Sequence, residues 1–86
     1  MNLSSRHRRT LIAVFERPTR VNIPWSNIER LFKAVGAEVS EGSGSRVQIK
    51  LGDQVNTFHR PHPGNEAKRY AVEAAREFLR EHDITP

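Results

Sequence analysis

The chain contains no cysteine. That excludes disulfides and thiolate metal sites, and it suits a reducing compartment such as the cytoplasm. It has no long hydrophobic run. The longest, Leu11-Ile12-Ala13-Val14-Phe15, falls far short of the ~20 apolar residues that a membrane-spanning helix needs. The opening Met1-Asn2-Leu3-Ser4-Ser5-Arg6 lacks the apolar core of a signal peptide. Acid is scarce at the start. Arg6, Arg8, Arg9, Arg17 and Arg20 face only Glu16 there, so the first 20 residues hold the whole formal excess of +4. The remainder balances at nine charges of each sign. Clustered arginine favours a polyanion or an acidic protein surface. The plainer reading is a solvated helix face.

With 86 residues there is room for one domain and one modest core. Cores below roughly 80 residues rarely supply more than ~3–5 kcal/mol, so a partner protein could matter for stability. Leu3, His7, Leu11 and Phe15 recur at helical spacing, and Ser4 or Ser5 can cap the start. A helix is expected near 4–16, ended by Pro18, with a loop through Pro24. Ser26-Asn27-Ile28-Glu29 fits a capping box. Ile28, Leu31, Phe32 and Val35 follow at helical intervals, and Gly36 suits a left-handed stop. The second helix is expected at 26–35, with Trp25 as a hydrophobic staple or core plug.

Ala37-Glu38-Val39-Ser40 reads as a short strand and 41–45 as a turn. In 46–51, apolar Val47, Ile49 and Leu51 alternate with polar Arg46, Gln48 and Lys50, the pattern of a half-buried strand. Gly52-Asp53-Gln54 turns the chain into a strand at 55–60, and Pro61 and Pro63 end the sheet. Asn65 can cap a last helix at 66–82, with Ala67, Tyr70, Ala71, Ala74, Phe78 and Leu79 as its apolar stripe. Val47, Ile49 and Leu51 are expected to be buried with Phe32, Tyr70 and Phe78. The order is α-β-β-β-α preceded by an extra helix. It predicts an α+β two-layer sandwich, a topology also found in double-stranded-RNA-binding domains. The expected division is a basic helical extension over 1–20 and a domain over 21–86.

One face of the central strand carries Arg46 and Lys50, and the basic Phe58-His59-Arg60-Pro61-His62 segment lies alongside it. Such a face suits an RNA phosphate backbone. RNA cleavage by transesterification needs a base, an acid and cations. His59 and His62 are the acid–base candidates. Arg46, Lys50, Arg60 and Ser45 are the phosphate-binding candidates. The plainer reading has one histidine in solvent and the other bonded to the turn before the last helix. No cofactor is expected, and His59 and His62 lack a third metal ligand. Ser45 has no local His-Asp partnership, which argues against a serine nucleophile.

Pro24-Trp25-Ser26, Ile28-Glu29-x-Leu31-Phe32-x-Ala34-x-Gly36, Gly44-Ser45-Arg46-Val47 and the His-Pro-Gly segment running into Glu66-Ala67-Lys68 occur in an order and spacing that resemble the HicA toxin family. The resemblance covers about 24–84. It implies a fold similar to double-stranded-RNA-binding domains, an mRNA-cleaving activity and a HicB-like antitoxin as partner. The family motif at the central strand is Gly-Ser-His, and here Arg46 replaces the histidine. Arginine stays protonated and cannot act as a general base, although it can bind phosphate. The family's later histidine best matches His62. A non-catalytic RNA- or protein-binding module on the same scaffold is the alternative. The N-terminal helix lies outside the resemblance, where it could dock a partner or a second copy of the chain.

Overall fold

Ser4 receives the amide N–H of His7 on its side-chain oxygen at 3.3 Å and opens helix α1, Ser5–Phe15. The computed structural model describes residues 2–86. Helix α2 spans Trp25–Ala34 and ends as expected. The Gly36 N–H donates to the Lys33 carbonyl and the Ala37 N–H to the Phe32 carbonyl, with Gly36 at φ +100°. That paired closure needs a left-handed residue at the first position beyond the cap, which glycine occupies without steric cost. The start of α2 corrects the expected capping box. The helix begins one residue earlier, at Trp25, and no side chain caps it. The Glu29 carboxylate turns away from the helix end to Trp25 and Arg60.

Strands β1 (Glu38–Glu41), β2 (Arg46–Leu51) and β3 (Gln54–His59) form an antiparallel meander in that order. Gly52, at φ +61°, occupies the first central position of the β2–β3 turn, between paired Leu51 and Gln54. The alternation in β2 is realised. Val47, Ile49 and Leu51 are buried while Arg46, Gln48 and Lys50 are exposed. Phe58 on β3 lies opposite Val47 and shares its face. The helices cover that face. Phe58 packs against Trp25 and Phe32, with ring centroids 5.3 and 5.9 Å apart, and Phe32 meets Phe78 at 5.8 Å.

Helix α3 spans Arg69–Glu81, so it starts later than expected and Asn65 does not cap it. The backbone just before it is engaged elsewhere. The Trp25 N–H donates to the Asn65 carbonyl at 2.9 Å, and the Ala67 N–H to the Ile23 carbonyl at 2.8 Å. Those two bonds hold the segment extended, where a helix would need its amides turned inward. The apolar stripe is also corrected. Ala71, Val72, Ala75, Phe78 and Leu79 face the core, whereas Ala74 is exposed and Tyr70 is 56 % exposed.

The N-terminal helix belongs to the same core. Leu11, Ala13 and Val14 are buried in one cluster with the residues of α2, α3 and the sheet. The link to α3 is a buried cation, Arg76, which is 5 % exposed. Its Nε donates to the Val14 carbonyl at 2.9 Å, and its Nη2 donates to Thr19 Oγ1 at 2.8 Å and the Glu16 carbonyl at 3.3 Å. The Val14 and Glu16 carbonyls are end groups that α1 itself leaves without partners. Thr19 in turn donates to Glu73 Oε2 at 3.0 Å. No helix among the described residues is long and apolar enough to cross a membrane.

Candidate nucleic-acid interface

Strand parity decides which side chains share a face. The outer face of the sheet carries Arg46, Gln48 and Lys50 from β2. Opposite them in register stand His59, Thr57 and Val55 from β3. On the other side, Ser40 and Glu38 of β1 stand opposite Gln48 and Lys50. Directly opposite residues have Cβ atoms ~4.5–5.5 Å apart, so Arg46 and His59 are immediate neighbours. Arg46, Lys50 and His59 are all exposed, and among the described residues neither Arg46 nor Lys50 is ion-paired.

At the β3 end of this face a surface cleft of about 410 Å³ opens. Ser45, His59, Arg60, His62, Lys68 and Tyr70 line it. Both candidate histidines therefore border one cavity, beside the cation Arg46. His62 stands between Pro61 and Pro63 in the sequence, and the Arg60 amide N–H donates to the Ser45 carbonyl at 2.9 Å, which ties the two walls together. Lys50 stands farther along the sheet, outside the cleft. Among the described residues no group of three or more His, Cys, Asp and Glu side chains is placed to share a metal ion.

Lys68 and Tyr70 were not among the expected site residues. Lys68 precedes α3 and supplies an exposed ammonium, and Tyr70 supplies a phenol that can donate or accept a hydrogen bond. The signal for Tyr70 was present in the periodicity. A stripe through Val72, Ala75 and Leu79 leaves position 70 on the solvent side.

Arg60 occupies a different position from the other expected phosphate ligands. Parity turns it toward the helices, away from His59. Its Nε donates to Glu29 Oε2 at 2.7 Å and its Nη2 to Glu29 Oε1 at 3.1 Å. Its Nη1 and Nη2 donate to the two oxygens of Glu41 at 2.5 and 2.9 Å. Hydrogen bonds from the Arg60 guanidinium hold the Glu41 carboxyl below its usual pKa. The same bonds hold Arg60 firmly protonated, above its ordinary value. Two carboxylates around one guanidinium leave the cluster net negative. That arrangement serves to brace β3 against α2 and β1, and offers little to a phosphate.

No curated protein and no solved structure matches the chain. A family model described as the HicA toxin of bacterial toxin-antitoxin matches residues 25–84. The match spans α2, the whole sheet and α3, including every residue of the histidine cleft. By that match the chain, outside its first helix, belongs to the HicA toxin family of bacterial toxin–antitoxin systems.

Proposed function

We propose that this toxin binds RNA across the outer face of its sheet and cleaves it at the histidine cleft. The observation that carries the reading is the convergence of His59, His62, Ser45 and Lys68 on one cavity beside exposed Arg46. Arg46 and Lys50 hold phosphates. In the cleavage step one neutral histidine takes the proton of a ribose 2′-hydroxyl. The 2′-oxygen attacks the adjacent phosphorus. The bond to the 5′-oxygen breaks, and the other histidine, protonated, gives that oxygen its proton. The products are a 2′,3′-cyclic phosphate and a 5′-hydroxyl end. Arg46 and Lys68 stabilise charge on the pentacoordinate phosphorus. Family membership makes the protein the toxin of a toxin–antitoxin system, and we take a HicB-like antitoxin as the partner that holds this activity in check.

The test uses purified full chain and end-labelled RNA in the presence of a chelator. Cleavage by wild type and its loss in the His59→Ala/His62→Ala double variant are expected, which also controls for contaminating nuclease. Cleavage undiminished in the double variant would remove both histidines from the chemistry.

A second reading rests on Arg46. Where the family motif has a histidine, this chain has a group that cannot move a proton. On that reading the face binds RNA without cutting it, and wild type retards RNA while leaving it intact.

A further inference from the structure

A second basic surface lies on the helical layer, partly outside the family match. Helices α1 and α2 pack side by side and leave a groove of about 750 Å³ between them. Arg6, His7 and Arg9 line one wall, and Arg30 and Lys33 the other. Arg6 and Arg9 are three residues apart on α1, as Arg30 and Lys33 are on α2, so each pair projects from one helix face with ~4.5 Å of axial rise between its members. All four cations are exposed, no carboxylate lines the groove, and none of the four is ion-paired among the described residues. Lys33 also lies within Coulombic range of Glu41.

The groove connects to the histidine cleft. A hollow of about 400 Å³ shares Arg30 and Lys33 with the groove at one end. At its other end it shares Arg60 and Pro61 with the cleft. Ser26 and Asn65 supply polar groups between them, and the one carboxylate on its wall, Glu29, is paired with Arg60, so the free cations of the hollow are Arg30 and Lys33. Three neighbouring hollows, linked by shared wall residues, therefore lie in sequence from α1 to His59 and His62.

We infer that this row of hollows is an RNA track: the α1–α2 groove anchors the phosphate backbone of a strand whose reacting nucleotide sits in the histidine cleft. The inference rests on the RNA reading above and extends it to the N-terminal helix. Charge complementarity names the occupant. Paired cations along two walls suit a chain that repeats one negative charge per nucleotide. An acidic protein segment would need an apolar anchor to gain affinity. Among the described residues the four large exposed apolar side chains, Ile12, Val21, Val55 and Tyr70, all lie outside the groove. Contacts of this kind carry no base sequence, so the anchor adds affinity and footprint without selectivity.

The experiment measures affinity of the full chain for RNA oligonucleotides of about four and about sixteen nucleotides, a range typical of single-strand sites. It compares wild type, Arg6→Gln/Arg9→Gln/Arg30→Gln/Lys33→Gln, and Arg46→Gln/Lys50→Gln. The substituted side chains are exposed and glutamine keeps helix propensity, so matching thermal melts are the folding control. Wild type should bind the longer RNA more tightly. The groove variant should lose that gain and keep its affinity for the short one. Its slope of log affinity against log salt should shrink by about 3, at ~0.7 per lost single-strand contact. A groove variant that retains the full length gain overturns the track and leaves the sheet-face reading standing. Length gain lost only in the groove variant, with Arg46→Gln/Lys50→Gln unaffected, supports the track and removes the sheet face. Wild type that binds no RNA overturns both. Poly-glutamate bound as tightly as RNA at equal salt, and released by the groove variant, would assign the groove to an acidic protein and overturn the track.

Discussion

Arg60 and Glu29 form a two-pronged ion pair, Nε to Oε2 at 2.7 Å and Nη2 to Oε1 at 3.1 Å, joining the end of β3 to α2. The Glu29 side chain is only 14 % exposed, and it also accepts the indole N–H of Trp25. Removing its charge leaves a partly buried guanidinium and an indole donor with poorer partners. Glu29→Gln should therefore cost about 1.5–3 kcal/mol in denaturant unfolding, the scale of a hydrogen bond to a charged group. Glu41→Gln, at an exposed rim, should cost less. Arg60→Gln should lower stability while changing RNA affinity less than Arg46→Gln does. A larger RNA effect at Arg60 would return it to the phosphate-binding set.

The ion pair of Arg60 with Glu41 predicts an acid-side dependence. Arg60 lowers the Glu41 pKa in the folded chain, so the carboxylate form favours the folded state. Its contribution is present above the ordinary glutamate pKa of ~4.3 and is lost as pH falls through the lower folded value. Thermal melts taken from neutral pH downward should show stability declining through that window. Glu41→Gln should flatten part of the decline. An acid limb identical in the variant would show that the pair carries no linkage.

Much of this architecture was legible in local pattern. The alternation of Val47, Ile49 and Leu51 set the buried face, and Gly36 marked a helix end that needed a left-handed residue. What stayed hidden depended on contacts distant in sequence. Nothing near Asn65 signals that its carbonyl serves Trp25, yet that bond delays α3. The partners of Arg60 lie 31 and 19 residues away, on α2 and β1. Its side, however, could be read from its neighbours. If Phe58 faces the core, Arg60 does too and His59 faces out. The burial of Arg76 had no local signal, because its partners close the end of α1.

That closure makes α1 structural. Leu11→Ala should cost about 2–5 kcal/mol, the range for emptying a buried leucine site. Arg76→Ala should cost about 2–4 kcal/mol, by leaving the Val14 carbonyl and Thr19 without their donor. Deleting 2–16 should lower the melting temperature sharply or abolish cooperative unfolding. A truncated chain that melts like wild type would make the helix a separable extension after all.

Arg46 and His59 stand directly opposite each other on the outer face, and this pairing sets the sharpest test of chemistry. A proton-transfer group must both lose and gain a proton near the working pH, which Arg46 cannot do. Cleavage by wild type is then expected to run through His62 and His59. Loss of either should slow it by about 10²-fold or more, the usual scale for a positioned acid or base. Arg46→His would put a third imidazole ~4.5–5.5 Å from His59 at Cβ, where the family carries its histidine. It should raise the cleavage rate while lowering phosphate affinity, because an always-charged group is exchanged for one that titrates. Rates from single-turnover assays and affinities from anisotropy separate the two effects. If both wild type and Arg46→His bind RNA and leave it intact, the outer face is a binding surface, and proton transfer is no part of what it does.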